Sequence, residues 1–395
     1  MHTPPIECQA TSGNLLGMPV AQFLQTYWQK HPLLVRQALP GFTSPISPDE
    51  LAGLACEDGA LSRLIVHQGD TDTWQIRHGP LPESVFAELP ERDWTLLVQD
   101  VDTWDAGVAE LLAHFDFLPR WRIDDIMVSF AAPEGSVGAH IDQYDVFLIQ
   151  GLGTRRWLID NRPEPAQAFR DDVELKLLRE FSPSHDWVLQ PGDMLYLPPG
   201  VPHHGIALED CLTLSVGMRA PSHAELLLDL ADTLAEALPE QARYGDPDLA
   251  PEASNGRIDA QVLQRVRASL QSLAQIEDAR LADWFTGFIT RYRSAGQAAA
   301  PPQPPTPTQV QQALATGARL HVHPLVRCAW HQQGERASLH IDGERFITSP
   351  QLASQLARHQ TLDADTIAQL NADDHTLIHA FLERGILVLS NPENH

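Results

Sequence analysis

The chain is short of lysine, short of cysteine and free of long apolar runs. Only Lys30 and Lys176 are lysines, and 27 Lys+Arg stand against 52 Asp+Glu for a formal net charge of -25. Such a surface repels phosphate backbones and anionic lipid, so direct nucleic-acid binding is not expected and a basic protein or peptide is the favoured partner. The four cysteines (Cys8, Cys56, Cys211, Cys328) lie far apart with no CxxC spacing. That excludes a zinc ribbon or a disulfide framework and fits reduced thiols in the cytoplasm. No apolar run approaches the ~20 residues of a membrane span. The opening MHTPPIECQATSGNLL lacks the basic-then-apolar order of a signal peptide. A soluble, cytoplasmic protein is expected.

What is present is an ordinary globular balance, 43% hydrophobic and 20% charged over 395 residues, too long for one core and suited to two or three domains. The first 120 residues alternate helical and strand patterns. Ser47-Pro48-Asp49-Glu50 reads as a capping box opening the helix DELAGLACE, and TWQIRHG and WTLLVQDV read as strands. From Trp121 to Met218 six strand candidates follow: DIMVSFAAP, HIDQYDVFLIQG, RRWLID, DWVLQ, DMLYLPP and CLTLSVGMR. So many short strands between tight turns predict a β-sandwich or barrel. After Pro221 the pattern turns helical through AELLLDLADTLAEAL and AQVLQRVRASLQSLAQIEDARLADWFTGFITRY, divided by the loop at 244–256. The Pro-rich stretch 295–308 predicts a semi-rigid linker. Beyond it a small α+β unit of three helices with a β-wing is expected, with a hairpin turn at Asp342-Gly343.

The strongest chemical signal is His140-Ile141-Asp142, opening HIDQYDVFLIQG. Side chains at i and i+2 of a strand share a face, so imidazole and carboxylate would project together. A third ligand must come from another strand, and PPGVPHHG offers His203 and His204. Two histidines and one carboxylate on one face of a metal leave positions open, the arrangement used in Fe(II) oxygen chemistry. His321, His323 and His331 read as ordinary surface or packing residues. In GLGTRRW, alternation puts Arg155 and Trp157 on one face and Arg156 on the other. A buried arginine keeps its charge and needs a fixed anion, which a dicarboxylate cosubstrate would supply. Ser129, in IMVSF, could share that carboxylate. Tyr144 falls on the face of His140 and Asp142, while Asp145 points the other way, toward a rim.

These stretches, VGAHIDQYDVFLIQGLGTRRW and DMLYLPPGVPHHG, resemble the JmjC-type, cupin-4 group of 2-oxoglutarate oxygenases. Within that group the resemblance is to bacterial ribosomal oxygenases that hydroxylate an arginine of large-subunit ribosomal protein sixteen. It extends through SPDELAGLA, SRLIVHQ, WRIDD and SVGMRAP to nearly the whole chain. It implies an α+β fold. A double-stranded β-helix (a JmjC/cupin jelly-roll barrel with N-terminal helices, 1–221) would be followed by a helical dimerisation domain (222–297) and a winged-helix-like domain (308–395). It also implies His140, Asp142 and His203 as Fe(II) ligands, Arg155 as the anchor of the 2-oxoglutarate C5 carboxylate, Ser129 as its neighbour, and a homodimer. Ala131 stands where a second hydroxyl would seem natural. The C-terminal unit carries six Arg, no Lys and nine Asp+Glu, a balance that suits protein packing better than DNA reading.

The activity so implied consumes 2-oxoglutarate and O2 and releases succinate and CO2 while hydroxylating a basic ribosomal protein of the large subunit. Two alternatives use the same residues. A zinc-dependent cupin isomerase or hydrolase would share the three ligands, though it would not need Arg155. A non-catalytic dimeric peptide-binding protein would need no turnover at all.

Overall fold

The computed structural model describes residues 4–11, 14–247, 258–291 and 298–390. Parts of the loop at 244–256 and of the linker at 295–308 therefore lie outside the described residues. A nine-stranded sheet runs β1-β2-β10-β7-β12-β6-β5-β3-β4. Its strands are β1 (Glu7–Gln9), β2 (Leu33–Arg36), β3 (Ser62–Gln68), β4 (Thr73–His78), β5 (Trp94–Val98), β6 (Ile123–Ala131), β7 (Val146–Leu152), β10 (Met194–Leu197) and β12 (Cys211–Met218). A three-stranded sheet, β11-β8-β9, faces it, formed by β8 (Arg155–Ile159), β9 (His185–Leu189) and β11 (His203–Ala207).

β10 and residues 146–149 of β7 read as unbroken apolar runs because both of their faces are covered. Along β7, Phe147 and Ile149 join the core beneath α1 (Val20–Thr26), α2 (Pro48–Leu54) and α4 (Ala106–Glu110), while Val146 and Leu148 join Trp157, Ile159, Trp187 and Leu189 of the smaller sheet. The short helix α3 (Ser84–Ala87) lies between β4 and β5 in the chain. The capping box at Ser47 forms as read, with Glu50 accepting from the Ser47 amide at 2.8 Å.

Two strand readings are corrected. Residues 140–145 lie outside β7, which begins at Val146. The expected strand stops short because Asp145, placed at a rim by alternation, is fully buried instead. Its carboxylate accepts from Tyr196 Oη at 2.6 Å, Gln29 Nε2 at 2.9 Å and Arg122 at 3.0 Å, and these bonds turn the chain inward. The opposite omission concerns β11, which is not among the six strand candidates although the third ligand is expected on another strand. His-His-Gly has little β-propensity of its own, and pairing with β8 makes it a strand.

The described residues of the helical stretch form three helices, α5 (His223–Glu236), α6 (Ala260–Ala274) and α7 (Asp278–Arg291); the long second pattern breaks at Gln275. Leu227 and Leu228 of α5 are 67% and 66% exposed, and Leu263 and Leu270 of α6 are also exposed. A cavity of about 490 Å³ opens between Leu226, Leu227 and Leu230 of α5 and Leu281, Trp284 and Phe285 of α7. Among the described residues the C-terminal unit has four helices rather than three: α8 (Pro307–Ala315), α9 (Pro350–Ala357), α10 (Ala364–Ala368) and α11 (Ala372–Glu383). They pack with β13 (Arg319–Val322) paired to β17 (Leu387–Ser390), and with the sheet β14 (Cys328–Gln333), β15 (Arg336–Ile341) and β16 (Glu344–Thr348). Asp342 and Gly343, at φ 50 and 88, make the expected hairpin turn between β15 and β16. Among the described residues no helix is long and apolar enough to cross a membrane.

Candidate metal centre and cosubstrate pocket

His140 and Asp142 meet His203 although the segment carrying them is irregular. A single antiparallel bridge does it: the amides of His140 and His203 each donate to the other's carbonyl at 3.0 Å. The Gly200 amide donates to the Asp142 carbonyl at 2.9 Å and steadies the turn. His203 is the first residue of β11, where its side chain faces inward; His204 faces away, toward the Phe181 ring.

The three side chains place one ligand atom each within 4.8 Å of one another. Both imidazoles are set in the same tautomer. Nδ1 of His140 lies 3.0 Å from the Gly138 carbonyl and Nδ1 of His203 lies 2.9 Å from the Val201 carbonyl, so each Nδ1–H donates there. The Nε2 lone pairs are left facing Asp142, at 3.9 and 3.5 Å from its oxygens. Carbonyl-bound Nδ1–H is the usual support of a metal-ligating imidazole. Burial, reinforced by the neighbouring His140, lowers the pKa of His203 to about 4, so it is neutral near pH 7. Among the described residues no other donor reaches the Asp142 carboxylate within hydrogen-bonding distance. The donor set fits Fe(II) with open positions.

Arg155 reaches from β8 across the gap between the sheets and is 3% exposed. No carboxylate pairs with it among the described residues. Its guanidinium has three neutral acceptors, each at 3.4 Å: Ser129 Oγ, Thr213 Oγ1 and the Gly205 carbonyl. Its Nε has no partner, and burial lowers its pKa. Gly205 is glycine for a reason of space, since a Cβ there would lie 2.7 Å from Arg155 Nε. A buried, under-bonded guanidinium is a place for an anion, so the distal carboxylate of 2-oxoglutarate fits. The outward Arg156 pairs with Asp186 on the surface at 2.5 Å.

The cavity joining these groups holds about 560 Å³ and is lined by the triad, Arg155, Ser129 and Tyr144, among others. Three lining or supporting residues escaped the sequence reading: Thr213, Gln150 and Asp125. The available signal was alternation within buried strands. Thr213, Ser215 and Gly217 alternate with Leu212, Leu214 and Val216 in β12, and Asp125, Met127 and Ser129 alternate in β6. The second hydroxyl sought at Ala131 is on a different strand, at Thr213. Asp125 Oδ2 accepts from the Asp100 amide at 3.0 Å and has no cationic partner among the described residues. Burial raises its pKa to about 8, with the Asp100, Asp124 and Asp102 carboxylates adding to the effect.

Residues 110–226 match the JmjC domain family, and residues 268–388 match a ROXA-like winged helix. The class follows from fold and site together: a 2-oxoglutarate-dependent oxygenase of the JmjC type. The chain is 40% identical over 295 residues to the ribosomal protein uL16 3-hydroxylase of Escherichia coli strain K12, covering 75% of this chain and 78% of that protein. It is likewise similar to the E. coli ribosomal oxygenase YcfD, solved with cobalt and 2-oxoglutarate and with cobalt and succinic acid. The TM-scores are 0.81 and 0.80 at 35% identity, over 95% of this chain and 99% of those. The chain belongs to the JmjC-type ribosomal oxygenases, and Fe(II), 2-oxoglutarate and O2 are its cofactor and cosubstrates. The α+β reading of a jelly-roll barrel followed by helices and a winged helix holds.

Proposed function

We propose that this protein hydroxylates an arginine of the large-subunit ribosomal protein uL16, with His140, Asp142 and His203 as the metal ligands. The observation that carries the reading is the meeting, in one cavity, of a His/Asp/His triad and a buried arginine with no carboxylate partner among the described residues. Fe(II) bound at the triad supplies the oxygen-activating chemistry of the family. The protein's own residues do the placing: Arg155 and Ser129 hold the distal carboxylate, and the Nδ1–H bonds of both histidines keep their Nε2 atoms on the metal side. Apolar walls formed by Val146, Leu148 and Trp157 exclude water from the reacting end.

A cationic substrate suits the chain's net charge of -25. We assign the chain to the cytoplasm, where its substrate is made, and retain the divisions 1–221, 222–297 and 308–395. The helical part acts as the dimerisation domain and the acidic C-terminal part does not read DNA. Exposed leucines on α5 and α6 support a homodimer held by that region. Sedimentation of the full chain with Leu227→Glu and Leu228→Glu should give a monomer where the parent gives a dimer.

The test is mass spectrometry of purified uL16 incubated with the full chain, Fe(II) and 2-oxoglutarate. One added oxygen on an arginine, with matching succinate, is expected. An added oxygen on a histidine overturns the residue assignment, and succinate release without any modified uL16 overturns the substrate.

A further inference from the structure

Three adjacent strands of the large sheet, β7-β12-β6, set Gln150, Thr213 and Ser129 in one row: Thr213 is registered with Gln150 on one side and with Ser129 on the other. Arg155 meets this row from the opposite sheet, with its Nη1 equidistant, at 3.4 Å, from the two hydroxyls. The two hydroxyls look interchangeable. Their proton bookkeeping differs.

Gln150 is fully buried, and its amide can be oriented in only one way. Its Nε2 faces the carbonyls of Leu152 at 2.8 Å and Gly153 at 3.2 Å, which accept and cannot donate. Oε1 must then be the atom 3.3 Å from Thr213 Oγ1, so the threonine donates its single hydroxyl proton to Gln150. What Thr213 presents to Arg155 is a lone pair. Ser129 has no acceptor within hydrogen-bonding distance among the described residues, and its proton is uncommitted.

We infer that Gln150 and Thr213 are positioning residues that orient the Arg155 guanidinium, while Ser129 donates directly to the distal carboxylate of 2-oxoglutarate. The inference rests on the reading of Arg155 as the carboxylate anchor. In it, Thr213 never touches the cosubstrate as a donor. It accepts from Nη1, and the Leu152-Gly153 turn, through Gln150, fixes where that lone pair points. The orphaned Nε of Arg155 leaves the guanidinium short of acceptors, ready for an incoming anion. The protein thereby orients a charged fork before the cosubstrate arrives, which lowers the ordering cost of binding.

The test uses the full chain loaded with Ni(II), which holds a 2-oxo acid without turnover. Calorimetry gives the Kd of 2-oxoglutarate and of pyruvate, a 2-oxo acid with no distal carboxylate. Thr213→Val should weaken 2-oxoglutarate about tenfold, the worth of one hydrogen bond to a charged group, and leave pyruvate unchanged. Thr213→Ser should restore the affinity; Thr213→Ala replaces the valine variant if its melting shows that the extra methyl is not accommodated. In an Arg155→Ala background, Thr213→Val should cost nothing further, whereas Ser129→Ala should still weaken 2-oxoglutarate. Parent-like affinity of Thr213→Val, an equal loss for pyruvate, or an undiminished loss without Arg155 would each overturn the inference. Unchanged 2-oxoglutarate affinity in Arg155→Ala alone would overturn the anchor reading instead.

Discussion

Two clusters in this molecule contain two histidines and one aspartate, and they behave as opposites. In the barrel, Asp142 faces the Nε2 atoms of His140 and His203 at 3.9 and 3.5 Å, and among the described residues no other donor reaches its carboxylate. Between α7 and the C-terminal sheet, Asp283 Oδ1 accepts from Ser338 Oγ at 2.8 Å, Arg345 Nε at 3.0 Å and His331 Nε2 at 3.2 Å, with His340 Nε2 at 3.7 Å. Its pKa is lowered by the Ser338 and His331 hydrogen bonds and the Arg345 charge, against the opposing effect of burial. Residue types alone do not separate the two. The separation comes from donors: the second carboxylate already has a cation and a hydroxyl on one oxygen, and a metal there would have to displace both. The first has lone pairs facing lone pairs, an arrangement that is stable only with something positive between them.

The sharpest way to break the comparison is to remove each aspartate in turn. Asp142→Ala should lose iron-dependent turnover and one bound divalent ion per chain while the circular dichroism spectrum is retained. Asp283→Ala should keep both the ion and the turnover, and a loss of metal from that variant would show that the clusters are not opposites. Asp283→Ala should instead lower stability to urea by about 1–3 kcal/mol, because it leaves several donors without their acceptor; His340 Nδ1 is already unpartnered there.

A smaller effect sharpens the same point with a third carboxyl. Asp125, with its pKa raised to about 8, keeps its proton in the fold where the unfolded chain has released it. The folded state then binds more protons than the unfolded state between about pH 4 and 8, so this residue's contribution to stability falls as pH rises through that window. Asp125→Asn should flatten that part of the stability profile, most visibly near pH 8 in thermal melts. An unchanged slope would mean that the carboxyl is ionised already.

The sequence exposes what alternation and turn chemistry encode. Arg155 and Trp157 fall inside and Arg156 outside, and Asp342-Gly343 turns the hairpin as read. It hides what is decided by partners far along the chain. Asp145 was placed at a rim because alternation assumes an unbroken strand, and Tyr196, fifty-one positions on, draws it in. β11 has no strand signature apart from its pairing with β8. Thr213 and Gln150 look like incidental polar residues until three strands are set side by side. The latch at Asp283 was invisible for the same reason, since its donors come from β14, β15 and β16 while Asp283 itself lies on α7.

The bridge between His140 and His203 has a consequence outside catalysis. The proposed ligands come from two backbone segments that meet only when the sheets have closed, so the unfolded chain offers no comparable chelate. A divalent ion that binds only the folded form adds RT ln(1 + [M]/Kd) to the free energy of unfolding, about 2.7 kcal/mol when free metal stands at 100 times Kd. On the proposed ligand set, iron supply would be coupled to the lifetime of the protein as well as to its turnover. A chelator should lower the melting temperature of the parent and leave that of Asp142→Ala where it was, reading the site with no substrate present.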